Sequence, residues 1–279
     1  MNKEPLKIAT SQLPISEDVR ENGCEIRRQM TSAKAQGADL IHFPEGAMSG
    51  YVKAQIWDWR DVDWRVLKEE LEQTKQLAGE LGMWAVVGSN HPLTKPNRPH
   101  NSLYVLSNKG DLHARYDKQW CSNTEVNDWY TPGQSLCIFE VNGWRFGCAI
   151  CIEIQFPELF LAYAQEDIDC LLYSTYKDSH MFGIQAQGYA ASHNVWFSVS
   201  NVAEHSKALA SRMIAPNGEV QAVCETEGSS FTLATLDAED PRWHEALHLA
   251  KPWRNKAREG EIYRARFVDD PRSKDKHNF

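Results

Sequence analysis

Residues 143–158 read GWRFGCAICIEIQFPE. Asn142-Gly143 is a strong hairpin turn, and the apolar run after it reads as the second strand of that hairpin. Pro157 then stands where a helix takes proline in its first turn. A strand that exits through a cysteine and leads into a helix is the signature of a mixed α/β fold. The same stretch holds Cys148 and Cys151, three residues apart. That spacing fits a redox pair, half a metal site, two unrelated thiols, or one nucleophile beside a core residue.

Outward from this point the two periodicities alternate. Upstream, residues 7–13, 38–44 and 83–90 read as strands, and Pro44 terminates the second. Residues 17–36 and 64–81 are helical in pattern, closed by Gly37 and Gly82. An aromatic-rich loop runs from Tyr51 to Trp59, and two hairpins follow, around residues 108–111 and 142–144. Downstream, residues 157–165 and 181–194 read as helices, and strands are expected at 169–175, 195–201, 208–214, 219–225 and 229–236. No linker or fixed repeat interrupts the chain, so residues 1–270 are expected to form one domain and residues 271–279 a charged tail.

Composition excludes several classes. The 279 residues are 42% hydrophobic and 24% charged, with 10 Trp, 9 Tyr and 10 Phe, which is enough to fill a large core. The net charge of -8 comes with no basic stripe, so a nucleic-acid partner is not expected. No run approaches the roughly 18 apolar residues of a membrane helix. The first ten residues, MNKEPLKIAT, lack the apolar core of a signal peptide. Seven cysteines are an odd number without framework spacing, and free thiols in a reducing cytoplasm are expected.

Three ionisable residues share one kind of address. Glu45 follows the strand LIHFP, Lys118 follows LHARYD, and Cys151 follows WRFGCAI. In α/β sheets, active sites gather at strand exits. Taken singly, each has an ordinary explanation as a turn acid, a solvated amine or a core thiol. Together they form a working set. A thiol attacks an acyl or nitrile carbon only as thiolate, which a nearby cation favours. Lys118 can supply that cation and steady an oxyanion, and Glu45 can serve as general base, then acid, then base. Such chemistry requires no metal and no cofactor.

These stretches resemble a family. FPEGAMSGY (43–51), YDKQW (116–120) and GCAICIEIQFPE (147–158) together are similar to the nitrilase superfamily of carbon–nitrogen hydrolases. Further pieces in the same order are KIATSQL, AKAQGADLIHFPE, TPG (131–133), ASRMIAPNGEV and SSFTLATLD. The resemblance implies a four-layer α-β-β-α sandwich, commonly assembled into homodimers or larger homo-oligomers. It makes Glu45 the base, Lys118 the oxyanion stabiliser and Cys151 the nucleophile. It also implies a second glutamate supporting the lysine, with Glu125 the counterpart and Asp128 a rival in the same loop.

Within that resemblance the branch stays open. After Cys151 come Ile152 and Glu153, where amidase-like relatives often show an aromatic residue and then Asp or Asn, and nitrile-hydrolysing ones Trp and then Glu. Candidates for substrate binding are Tyr51, Trp120, Glu153, Tyr176 and Lys177. The Tyr176-Lys177-Asp178 segment suggests a small polar substrate. The expected activity is hydrolysis of a small amide or N-carbamoyl compound through a cysteine thioester. A nitrilase is the alternative within this chemistry, and a thiol redox or zinc protein is the alternative outside it. The redox and zinc readings lack a second Cys/His pair at short spacing, the nearest histidine downstream of Cys151 being His180.

Overall fold

The computed structural model describes residues 3–225 and 228–278. Met1 and Asn2, in the segment compared with a signal peptide, and Phe279, at the end of the expected tail, lie outside the described residues.

The N-terminal half comprises β1 (Leu6–Leu13), α1 (Val19–Ala35), β2 (Leu40–His42), α2 (Trp64–Leu81), β3 (Trp84–His91), β4 (His100–Leu106) and β5 (Leu112–Asp117). The second half comprises β6 (Ile138–Val141), β7 (Trp144–Ile150), α3 (Pro157–Gln165), β8 (Cys170–Ser174), α4 (His180–His193), β9 (Trp196–Val202), β10 (Arg212–Ile214), β11 (Val220–Val223) and β12 (Ser230–Leu236). The strands form two six-stranded units, ordered β5-β4-β3-β2-β1-β12 and β6-β7-β8-β9-β10-β11. They join where Gln12 and Leu13 of β1 pair with Asn201 and Val202 of β9. Helices α1 and α2 cover the first unit and α3 and α4 the second. The fold is the four-layer α-β-β-α sandwich that the resemblance implied.

Alternation along the strands sorts side chains between layers. In β1, Leu6 and Ile8 enter the core shared with the second unit, whereas Ala9 and Leu13 pack with Ile26 and Met30 of α1. Helix α1 starts where the Asp18 carboxylate accepts the Arg20 N–H, and α2 starts at Asp63, whose side chain accepts from Arg65 and Val66. Gly82 ends α2 in the left-handed region, as the sequence predicts.

A polar seam crosses the shared core. Ser174 Oγ donates to the Phe43 carbonyl, so it must accept from Nε2 of His42 at 2.8 Å. Nδ1 of His42 then accepts from Ser198 Oγ at 2.9 Å, and Thr10 Oγ1 donates to Ser198 at 2.7 Å. Every member of this chain has one donor role, which holds His42 in one neutral tautomer. Burial also pushes its pKa down to about 3.

The C-terminal region departs from the sequence reading. Residues 245–259 are helical, ending in α5 (Lys251–Glu259), and short helices follow at Glu261–Arg264 and within the expected tail at Pro271–Lys274. Pro252 sits in the first turn of α5. Among the described residues, no helix is long and apolar enough to cross a membrane.

Candidate active site

Three strand exits converge at one end of the sandwich. Glu45 lies three residues beyond β2, on a turn that packs tightly against β3. A Cβ on Gly88 of β3 would lie 2.1 Å from the Pro44 carbonyl oxygen, so only glycine admits this approach. Lys118 is the first residue after β5, its N–H held by the Asn101 carbonyl at 2.8 Å. Cys151 is the first residue after β7 and turns the chain with φ +51°, a conformation a non-glycine residue holds only under local constraint. It opens a single 3-10 turn, Cys151–Gln155, ahead of α3. The Tyr173 hydroxyl pins this turn by donating to the Cys151 carbonyl at 2.7 Å.

All three ionisable groups are buried. Lys118 Nζ lies 3.1 Å from Glu45 Oε1, and 2.8 and 3.1 Å from the two oxygens of Glu125. The buried ions therefore sum to one negative charge: two carboxylates and one ammonium. Glu45 Oε1 also accepts from Asn101 Nδ2 at 2.7 Å, and its Oε2 accepts the Tyr176 N–H at 2.9 Å. Glu125 accepts from the Tyr51 hydroxyl at 3.0 Å and the Ser122 N–H at 2.7 Å. Of the two acids weighed for this place, Glu125 reaches Lys118, and Asp128 is exposed on the same loop.

Electrostatics gives each group a direction. Burial pushes the Glu45 carboxyl above the usual range, and the Glu125 charge adds to this. Burial acts the same way on Glu125, but Lys118 and the Ser122 hydrogen bonds outweigh it and leave that carboxyl low. Burial opposes the charge on Lys118, yet the two carboxylates hold its pKa well above the ordinary value. Burial and then Glu45 push the Cys151 thiol up to about 12, against the pull of Lys118. The sequence suggests that Lys118 favours a thiolate. Lys118 does pull that way, but burial and the two carboxylates that surround the cation outweigh it and leave the thiol pKa high.

Among the expected substrate-binding residues, Tyr51 and Tyr176 stack at 5.0 Å over the charged cluster, and Gln55 Nε2 donates to the Tyr176 hydroxyl at 3.0 Å. Trp120 is exposed at the rim and stacks on Phe156 at 4.7 Å. Lys177 is exposed, and Asn201 bonds both its N–H and its carbonyl. Glu153 is a correction. It is fully buried, and its carboxylate accepts the N–H groups of Gln119, Trp120 and Ile150 and the Tyr116 hydroxyl. With no oxygen left over, it ties the Lys118 loop to the end of β7 and is not presented to a substrate. Sequence reasoning missed Asn101 and Thr175. A buried Asn within the apolar strand NSLYVLS was the available signal for the first.

The two cysteines of the opening stretch separate. Gly147 of β7 faces α3, where a Cβ would meet the Tyr163 ring at 2.7 Å, so Cys148 turns to the opposite side of the strand. Its thiol bonds with that of Cys137, its neighbour across the hairpin. The Tyr163 hydroxyl bridges the same pair, donating to the Cys148 carbonyl at 2.6 Å and accepting the Cys137 N–H at 3.3 Å. With its N–H taken by Tyr163, Cys137 lies just outside β6, which begins at Ile138. Among the described residues, no group of three or more His, Cys, Asp or Glu is placed to hold a metal.

Comparison with known proteins gives the family and the fold. A model of the carbon–nitrogen hydrolase family matches residues 7–242. The chain is 26% identical over 249 residues to the omega-amidase NIT2 of Bos taurus, covering 83% of this chain and 88% of that one. Its fold is similar to an amidase from Nesterenkonia sp. AN1 in complex with butyramide, with TM-score 0.76 and 19% identity over 94% of this chain and 97% of that one. A further structure of that amidase, with TM-score 0.75 and 20% identity over 90% and 96% of the chains, carries the acetamide moiety of fluoroacetamide covalently at its active-site cysteine.

Proposed function

The chain belongs to the carbon–nitrogen hydrolase family, and from that membership we propose that it is an amidase hydrolysing small polar amides through a thioester on Cys151. The observation that carries this reading is the buried Glu45–Lys118–Glu125 cluster beside a thiol on a strained strand exit. The omega-amidase relative, and a similar fold whose active-site cysteine carries the acetamide moiety of fluoroacetamide and is therefore a reactive nucleophile, support it.

Glu45 takes the thiol proton as the sulfur attacks the amide carbon. The C–S bond forms, and the carbonyl electrons move to oxygen, where Lys118 steadies the charge. Glu45 then gives its proton to the nitrogen, the C–N bond breaks, and ammonia or an amine leaves a thioester. Glu45 next deprotonates a water that attacks the thioester, and collapse returns the acid and the thiol. Glu125 holds the ammonium of Lys118 toward the developing oxyanion. Tyr51, Tyr176, Trp120 and Lys177 line the approach, and the enclosure of the charged groups restricts the substrate to a small acyl group.

A panel of small amides, N-carbamoyl compounds and matching nitriles, assayed for ammonia release, tests the reading. Amides should turn over, Cys151→Ala should abolish turnover with the fold intact, and Cys148→Ala should keep most of it. Turnover that survives Cys151→Ala, or release from nitriles alone, would overturn it.

A further inference from the structure

Strands β7 and β8 run parallel with Ile150 opposite Ser174, so the next residues, Cys151 and Thr175, leave adjacent strands side by side. Thr175 is the third of four consecutive hydroxyl residues, Tyr173-Ser174-Thr175-Tyr176, and the Tyr176 hydroxyl accepts from Gln55. Tyr173 is engaged with the Cys151 carbonyl, and Ser174 with His42 and the Phe43 carbonyl. Thr175 differs. It is fully buried, and its hydroxyl lies near the Cys151 thiol and the Tyr173 hydroxyl without completing a hydrogen bond to either. Its backbone is fixed on both sides, by its own N–H to the Ser200 carbonyl at 2.8 Å and by the Tyr176 N–H to Glu45 at 2.9 Å.

We propose that Thr175 is a further catalytic residue, its hydroxyl donating a hydrogen bond to Sγ of Cys151 while that sulfur carries negative charge. This rests on the reading of Cys151 as the nucleophile. A thiol is a weak acceptor and a thiolate a strong one, so the bond strengthens only as the proton passes to Glu45. Lys118 is a poor substitute for that donor, because it is held between two carboxylates. Once the C–S bond forms, the sulfur loses its charge and the bond weakens; it returns when the thiolate leaves the second tetrahedral adduct. An interaction made at the charged stage and not at rest accelerates the reaction without tightening substrate binding.

The test is Thr175→Val, which keeps the shape and removes the hydroxyl, beside Thr175→Ser, which keeps it. Thr175→Ala carries the same expectations as Val if the second methyl disturbs folding. Readouts are kcat and KM on an amide, and the pH profile of Cys151 modification by a small neutral methanethiosulfonate. Thr175→Val should lower kcat about ten- to a hundredfold with KM little changed, and move the modification profile to higher pH. Thr175→Ser should restore both. A Thr175→Val enzyme within twofold of wild type, a profile that does not move, or failure of Ser to restore it would overturn the proposal. Cys151→Ala assayed alongside separates the two readings. Turnover by that variant overturns the nucleophile and Thr175 with it, whereas an inactive Cys151→Ala beside a normal Thr175→Val overturns Thr175 alone.

Discussion

Replacing Glu125 with glutamine should make Cys151 more reactive and the enzyme less active. The wild-type cluster carries two negative charges and one positive, and Cys151 sits at about 12. Forming its thiolate at pH 7 therefore costs about 7 kcal/mol, at roughly 1.4 kcal/mol per pH unit. The Glu125 charge is one of the influences holding that thiol up. Neutralising it should lower the thiol pKa by about one unit and raise the thiolate fraction about tenfold at a given pH. Turnover should move the other way. The Glu125 charge also raises the Glu45 carboxyl, so its loss leaves a weaker base, and Lys118 loses the charge at its shortest contact, 2.8 Å. Glutamine cannot replace both oxygens, since an amide placed at Oε2 would face the Ser122 N–H donor to donor. A fall of about a hundredfold in kcat/KM is expected. Breaking one side of a buried ion pair should also cost roughly 3 kcal/mol of stability, or about 6–12 °C in Tm. Modification by a methanethiosulfonate, followed by intact mass at pH 8, runs beside ammonia release from an amide. If modification slows together with turnover, or if turnover stays within threefold, the charge reasoning is wrong.

Two further perturbations test the frame around the cluster. His42 is held neutral to about pH 3, against an ordinary value of 6.5. An unfolded chain thus binds a proton there that the fold refuses, so this group favours the fold above pH 6.5 and loses that contribution as pH falls toward 3. At pH 4 the loss is about 3 kcal/mol. In His42→Asn, urea unfolding at pH 4 and 7 should show a smaller difference by that amount, and an unchanged acid slope would remove His42 as its source. Gly88→Ala forces a Cβ against the Pro44 carbonyl. It should lower Tm by several degrees, cost about 1–3 kcal/mol and reduce turnover by displacing Glu45, and wild-type values for both would show that the Glu45 turn yields freely.

The addresses of the site were legible in the sequence, and its electrostatics were not. Glu45, Lys118 and Cys151 each follow an apolar run cut by a turn signal, so period and punctuation place them at strand exits without any three-dimensional knowledge. What the runs hide is what meets them. Asn101 reads as one polar residue within β4 until the fold turns it onto Glu45. Glu153 stands two residues from Cys151, which invites a role beside the substrate. A single 3-10 turn instead folds it back onto the Ile150 N–H. The resemblance supplies Glu125 as a partner for Lys118, but spacing alone does not, because the partners lie 73 residues before it and 7 after it, and the influence of a charge depends on partners that sequence distance does not measure.

The two sheet units divide the reacting groups. Glu45, Lys118 and Glu125 come from the β1–β5 side, whereas Cys151, Thr175 and the Tyr176 N–H come from the β7–β9 side. The backbone pairing between the units, at β1 and β9, involves two residue pairs. Two short ladder contacts leave the units free to shear by a fraction of an ångström unless something else fixes them. The polar seam supplies that constraint. His42 bonds to Ser174 and Ser198, Ser174 to the Phe43 carbonyl, and Thr10 to Ser198, each a contact from one unit to the other. Hydrogen bonds suit this task better than apolar contacts, because they lose energy steeply with misalignment while hydrophobic contact is indifferent to small slides. Phe43 lies two residues before Glu45, and Ser174 immediately precedes Thr175 and Tyr176. The seam therefore ends on the segments whose separation sets the distance between base and nucleophile. A buried histidine that touches none of the reacting atoms is thereby tied to how closely Glu45 can approach the Cys151 thiol.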